Sequence, residues 1–351
     1  MNIRLIRSCL RYAVLSAALV ASTIKADPEG NLAEACVSES PLSARGASVA
    51  VTYVANMGLL IVGPEAKVLV DSMFTQSYGI FQVPSADVLQ RLQEARAPFD
   101  GVTCALATHD DGDHFTASVV LDHLLHDPSC SFAAPAEAIA LMEPLPRYGD
   151  LKRRIYAVPP SGISADLKLG NLIVRAVPLE HMERPPSMPR VPFNLGYVFS
   201  IGGIRFLHAG DMGAHNLEAI QRCNLRSEAV DVLIVNWYLF REQSVESARA
   251  IIGYLRPRLI LLTHLTPGHH REEANQAAKI SGLPPIVPLE TPMQTYVIQR
   301  EGSGLRVSIS KLPPRLESSD VAPIQLPLQT PASVTPAANA PVVPPPGAVV
   351  R

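Results

Sequence analysis

The stretch "THDDGDHF" at Thr108–Phe115 crowds carboxylates and imidazoles around a single glycine, Gly112. Three readings compete for it: an acidic surface turn, a calcium loop and a transition-metal site. Calcium loops follow a D-x-D-x-D-G pattern with a distal Glu, which is absent here, and they use oxygen ligands rather than imidazole. Imidazole suits zinc, iron or manganese, and carboxylates add charge and favour harder ions.

The flanking sequence says where this loop sits. "DGVTCALAT" before it is a continuous apolar strand, "TASVVLDHLLHD" after it has helical spacing, and "CSFAAP" is a second short strand. Strand, helix, strand predicts a parallel pair joined by a crossover helix, with the loop at the carboxyl end of the first strand. Upstream, "GLLIV" and "KVLVD" flank Gly-Pro-Glu as a hairpin, and "PSADVLQRLQEAR" reads as a helix. Downstream, "NLIVRAVPLEH" is a strand ending in His181, and "LGYVFSI" and "IRFLHAGD" form a hairpin around Gly-Gly that ends at Asp211. "DVLIVNW" is a buried strand, "SVESARAIIGYL" an amphipathic helix, and "PRLILLTH" a last buried strand ending at His264. Four apolar strands therefore end in His109, His181, Asp211 and His264. Loops at strand ends are where α/β proteins place their chemistry.

In this order the motifs resemble the metallo-β-lactamase fold superfamily, whose T-H-x-H-x-D-H signature "THDDGDHF" follows except at Asp111, where the family usually has His. The lone His181, the "HAGD" Asp211 and the strand-end His264 come next, and the opening hairpin is similar to the lactonase-like branch. The resemblance covers residues of about 49–270. It implies a four-layer αββα sandwich with a one- or two-metal hydrolytic site at one edge. It further implies that His109, Asp111 and His181 hold a first metal, and Asp113, His114 and His264 a second, with Asp211 bridging. Asp113 and His114 are assigned to catalysis as well. A hydroxide held between the metals would be the nucleophile, since coordination lowers the pKa of water toward neutrality. No G-x-S-x-G elbow, P-loop or G-x-G-x-x-G competes with this reading. Two divalent ions are expected, zinc first, with manganese or iron favoured by the hard oxygen of Asp111. Loss of the first metal is the competing outcome.

Other residues read more plainly. His208 is expected to be packed or to support a ligand, His123 and His126 to lie on the helix surface, and His269 and His270 to lie in a solvated loop or to contact substrate. The Pro-rich insert "ERPPSMPRVPFN" could overhang the site and bring Arg184 and Arg190 to an anionic substrate, or be inert. Trp237 and Tyr238 could line a pocket or cap the core.

The termini differ in kind from the 47–311 domain. Residues 1–26 place Arg4, Arg7 and Arg11 before the apolar run "YAVLSAALVASTI" and a small-residue site near Asp27, the order of a signal peptide. Residues 27–46 form a lead-in. Residues 312–351 hold 10 of the 32 prolines and read as a disordered Pro/Ala tail. The chain has 30 basic and 32 acidic side chains, and removing 1–26 leaves 26 against 32, a net charge of −6. That balance disfavours a nucleic-acid partner. Cys36, Cys104, Cys130 and Cys223 could form two disulfides in an oxidising compartment, or Cys104 could be a buried small hydrophobe. The reading is a periplasmic or secreted bacterial hydrolase of a small-molecule ester-type bond, such as a lactone or phosphodiester, with no stable membrane span after cleavage. The alternative is a catalytically silent metal-binding or interaction protein of the cell envelope.

Overall fold

A computed structural model describes residues 48–184 and 190–310. Side chains along a strand alternate between faces, so a strand that is apolar at every position must be covered on both sides. This is what the buried strands do. Val68 and Val70 face one core while Leu69 faces a second. Val232, Ile234, Leu259 and Leu261 share the first core, whereas Leu233, Val235, Ile260 and Leu262 face a third.

Three apolar layers separate four structural ones. The first sheet has eight strands, in the order Gly304–Ser310, Thr295–Glu301, Ser48–Ala55, Gly58–Val62, Lys67–Val70, Cys104–Leu106, Ser131–Pro135 and Ile155–Val158. The second has seven, in the order Ile286–Pro288, Leu259–Thr263, Val232–Asn236, Ile204–His208, Phe193–Ile201, Leu172–Glu180 and Ala165–Leu169. Tyr53, Tyr197, Phe199 and Phe206 fill the space between the sheets. Helices Ala86–Gln93, Ala117–His126 and Ala136–Met142 contribute to the core outside the first sheet. Helices Leu217–Arg222, Val245–Leu255 and His270–Ala278 do so outside the second. The order αββα is the one expected.

The local predictions hold for particular physical reasons. Gly58–Val62 pairs antiparallel with Lys67–Val70, and Phe193–Ile201 with Ile204–His208. The second hairpin turns on Gly202 and Gly203, at φ of 57° and 71°, the left-handed pair that a two-residue turn needs. Cys104–Leu106 and Ser131–Pro135 are parallel, with helix Ala117–His126 between them in sequence. The helix at Ala86–Gln93 starts where Ser85 accepts a hydrogen bond from the Val88 amide.

Two expectations need revision or narrowing. His123 is not a surface residue: it is fully buried, and its Nδ1 lies 2.6 Å from the Leu92 carbonyl. It falls three and four residues after Val120 and Val119, on the helix face that packs inward, and the carbonyl satisfies its polar edge. His126, one turn on, is exposed as expected. Cys104, Cys130 and Cys223 are free and buried. Cys104 faces the core between the sheets and Cys130 the helical layer outside, so these two lie on opposite sides of one sheet. The expectations for 1–26, 27–46 and 312–351, and for Cys36, lie outside the described residues. Among the described residues no helix is long and apolar enough to cross a membrane.

Because Phe206 is fully buried between the sheets while Ile173 is 58% exposed, their truncations should diverge. Phe206→Ala should cost about 3–5 kcal/mol in urea denaturation, and Ile173→Ala about 0.5 kcal/mol or less.

Candidate metal centre

The two sheets deliver their polar residues to one edge. The turn after Cys104–Leu106 carries His109, Asp111, Asp113 and His114, closed by the His114 and Phe115 amides donating to the Asp111 carbonyl at 3.0 and 2.9 Å. His181 follows Leu172–Glu180 directly, His264 follows Leu259–Thr263 directly, and Asp211 comes three residues after Ile204–His208. Backbone bonds fasten these loops across the sheets. The Leu195 amide donates to the Thr108 carbonyl, Met182 to Asp211, and His264 to Asn56, at 2.8, 2.7 and 3.3 Å. Gly210 in "HAGD" sits at φ +56°, and a Cβ there would lie 2.3 Å from Asn194 Oδ1 and 2.7 Å from Thr108 Cβ, so only glycine fits.

All seven predicted residues come together and all are buried. Asp211 Oδ2 lies 4.0, 3.5, 3.5 and 3.4 Å from Nε2 of His109, His114, His181 and His264. On one side Asp111 Oδ2 is 3.4 Å from His109 Nε2 and 3.6 Å from His181 Nε2. On the other, Asp113 Oδ2 is 3.7 Å from His114 Nε2 and 3.5 Å from His264 Nε2. The four Nε2 atoms and Asp211 Oδ1 have no hydrogen-bond partner. Buried polar atoms are normally paired, so four orphaned nitrogens gathered around one carboxylate are donor atoms that fit divalent cations.

Supporting residues aim these donors. Asp71, fully buried, accepts from the Thr108 amide at Oδ1 and from Thr108 Oγ1 at Oδ2, both at 2.7 Å, and lies 3.0 Å from His114 Nδ1. A hydroxyl has one proton. Thr108 gives it to Asp71 and therefore accepts from His109 Nδ1, at 2.9 Å. His114 Nδ1 donates to Asp71, and His181 Nδ1 to the Met182 carbonyl at 2.7 Å. Three imidazoles are thus oriented with Nδ1 as the donor and Nε2 turned inward as the atom that can bind a cation. His264 lacks such a bond and is held by rings instead: Phe81 and Tyr238 lie edge-on at 4.1 and 5.4 Å. Asn56 donates to Asp113 Oδ2 at 3.0 Å.

Electrostatics follow from this crowding. Burial acts to raise the Asp211 carboxyl, but His264 and His114 outweigh it and hold the pKa well below the usual range. Burial acts to lower His114, yet Asp211, Asp113 and Asp71 hold it well above. His109 is pushed down by burial, with His114 adding to the effect. The Asp113 carboxyl is likewise held below its usual range, with His114 and His264 outweighing its burial, so these two carboxylates carry the negative charge that cation binding requires.

Sequence reasoning had quoted Asp71 only as part of a hairpin; its signal was the same strand-end position that singled out His109. It also passed over Asn56 and Arg241. His208 is packed, as expected, with Nε2 3.0 Å from the Met57 carbonyl. His269 is exposed beside Glu272, but His270 is not in a loop: it is half-buried and opens the helix His270–Ala278. Arg190 pairs with Asp110 at 2.6 Å, whereas Arg184 contacts Asp111 itself. Tyr238 lines the cavity over the centre, while Trp237 is buried in the core outside the second sheet.

A buried His/Asp cluster with these three donor groupings, set at the edge of an αββα sandwich, defines a metal-dependent hydrolase fold. The chain belongs to the β-lactamase superfamily: the family model described as "Beta-lactamase superfamily domain" matches residues 66–285. This is the superfamily that the order of the sequence motifs resembles. Among solved structures it is similar to a metallo hydrolase from Ignicoccus hospitalis, at 17% identity over 72% of this chain and 100% of that one, with a TM-score of 0.48. A possible metal-dependent hydrolase from Veillonella parvula matches at 15% identity over 70% and 98%, with a TM-score of 0.49. An isothiocyanate hydrolase from Delia radicum gut bacteria matches at 14% over 70% and 98%, with a TM-score of 0.43. No curated protein matches significantly.

Asp71→Asn should weaken metal binding about 10–100-fold, the usual effect of losing a residue that orients a ligand, while far-UV circular dichroism stays unchanged. Competition against a chromogenic chelator measures it.

Proposed function

We propose that the chain is an exported hydrolase that cleaves an ester-type bond in a small molecule, such as a lactone or phosphodiester, with two divalent cations. His109, Asp111 and His181 would hold the first and Asp113, His114 and His264 the second, with Asp211 shared. The observation that carries this reading is the single Asp211 oxygen within 3.4–4.0 Å of four orphaned imidazole nitrogens. Bound cations supply Lewis-acid activation of water and stabilise negative charge on the substrate oxygen. Zinc suits the four imidazoles, and the carboxylate of Asp111 opens the site to manganese or iron.

The chain's own residues do the rest. Thr108 and Asp71 hold the imidazoles in one tautomer, and Asn56 fixes Asp113, so the donors need no rearrangement to bind. Phe81 and Tyr238 wall the cavity beside His264. Burial pushes the Tyr238 phenol up to about 12, so at neutral pH it stays a proton-bearing donor toward the cavity. A cavity of about 540 Å³ supports a small-molecule substrate. Export rests on the basic-then-apolar order of residues 1–26.

Purified protein reconstituted with zinc should hold close to two ions per chain and hydrolyse generic lactone or phosphodiester substrates. His114→Ala should lose about one ion and the activity. A parent protein that retains no metal would sink the reading. Asp111→Ala should lower the stoichiometry and Asp111→His should keep it; unchanged metal and activity in Asp111→Ala would remove Asp111 from the centre. For export, the mature chain should be recovered from the periplasm or medium with its N-terminus near Asp27. A cytosolic chain still carrying residues 1–26 would overturn it.

A further inference from the structure

The cavity over the seven His/Asp residues also presents two guanidinium groups, Arg184 and Arg241. They are not equivalent. Arg184 contacts the Asp111 carboxylate, so its charge has a partner. Arg241 lies just after the turn Trp237–Phe240, with its guanidinium carbon 4.0 Å from the Tyr238 ring centre and 4.7 Å from that of Trp237. Among the described residues its side chain has no carboxylate within ion-pair distance and no hydrogen-bond acceptor. Glu183 lines the same cavity but is exposed and makes no ion pair with it.

That combination has a physical meaning. Stacking on aromatic faces uses the flat of the guanidinium and orients it, but leaves its in-plane N–H donors unspent. A planar fork of this kind matches carboxylate or phosphate oxygens. Charge points the same way. Two divalent cations would more than balance the carboxylates of Asp111, Asp113 and Asp211, so both guanidinium charges would be in excess beside the centre, and Arg241 is the one with no carboxylate in contact. Further along the wall, Phe81 lies against His264, and Tyr78 and Ile80 are 46% and 53% exposed around the same cavity. Large exposed apolar side chains at a cavity mouth mark a binding surface.

We propose that Arg241 anchors an anionic group, a carboxylate or a phosphate, on a substrate whose apolar part lies along Ile80 and Phe81. This names the substrate class for the hydrolase reading above and rests on it.

Trp237 is the only tryptophan of the chain and lies against Arg241, so its fluorescence reports on this subsite directly. Zinc-loaded protein is titrated with benzoate, phenyl phosphate and the neutral benzamide, and metal content is measured on the same samples. At least one anion should bind about tenfold or more tightly than benzamide, the margin of a charge-assisted hydrogen bond. Whichever anion is preferred identifies the group as carboxylate or phosphate. Arg241→Gln should abolish the margin and Arg241→Lys keep part of it, with metal content unchanged in both. Direct coordination of an anion by metal is common to parent and variant, so their difference belongs to Arg241. Equal binding of all three probes, or a margin that survives Arg241→Gln, overturns the anchor and leaves the hydrolase reading standing. A parent that holds no metal defeats the hydrolase reading instead, and the same titration on that metal-free protein then decides the anchor by the same two criteria.

Discussion

One carboxylate, Asp211, organises the edge of this sandwich. Taking an ionised carboxyl out of water is costly unless opposite charge and hydrogen bonds compensate. Asp211 is almost fully buried, and four imidazoles from both sheets point at one of its oxygens. Such convergence requires the loops after three strands of the second sheet to meet the turn after a strand of the first. The backbone bonds between Leu195 and Thr108 and between His264 and Asn56 cross from sheet to sheet, and the bond between Met182 and Asp211 ties two loops of the second sheet together.

The support behind the centre comes from the first sheet. Asp71 ends one strand and receives three protons from the neighbouring strand-end turn, two through Thr108 and one through His114. A buried hydrogen-bond network of this kind, in which every Asp71 partner is met, fixes the rings it holds. The donors therefore sit in a fixed arrangement, with their donor atoms inward, on a scaffold closed by apolar layers on both faces. The open side is different in character: rings, exposed apolar side chains and one stacked guanidinium line the approach.

Much of this was legible along the chain because strand-end position is a local property. An apolar run that stops at a His or Asp announces both the strand and what it delivers, and His109, His181, Asp211 and His264 were found that way. Asp71 obeys the same rule in "VLVDSMF" but was read as hairpin, because its partners lie 37 and 43 residues further on. His123 was misplaced for a related reason. A single imidazole on an amphipathic helix is polar by composition, but its burial depends on a carbonyl at Leu92 that another helix supplies.

By itself the sequence determined the periodicities that make two doubly apolar sheets, the hairpins at Gly-Pro-Glu and Gly-Gly, and the order of seven candidate ligands. The periodicities and hairpins follow from side-chain alternation and turn chemistry, which act over a few residues, and the ligand set from strand-end position together with the resemblance of the motifs. Tertiary structure alone decided that Asp111 stays within reach of His109 and His181, that Asp71 sets the His114 tautomer, and that Arg241 stacks on Tyr238 with its donors free. Each of these depends on distances between loops from different strands, and such distances exist only once the two sheets have packed.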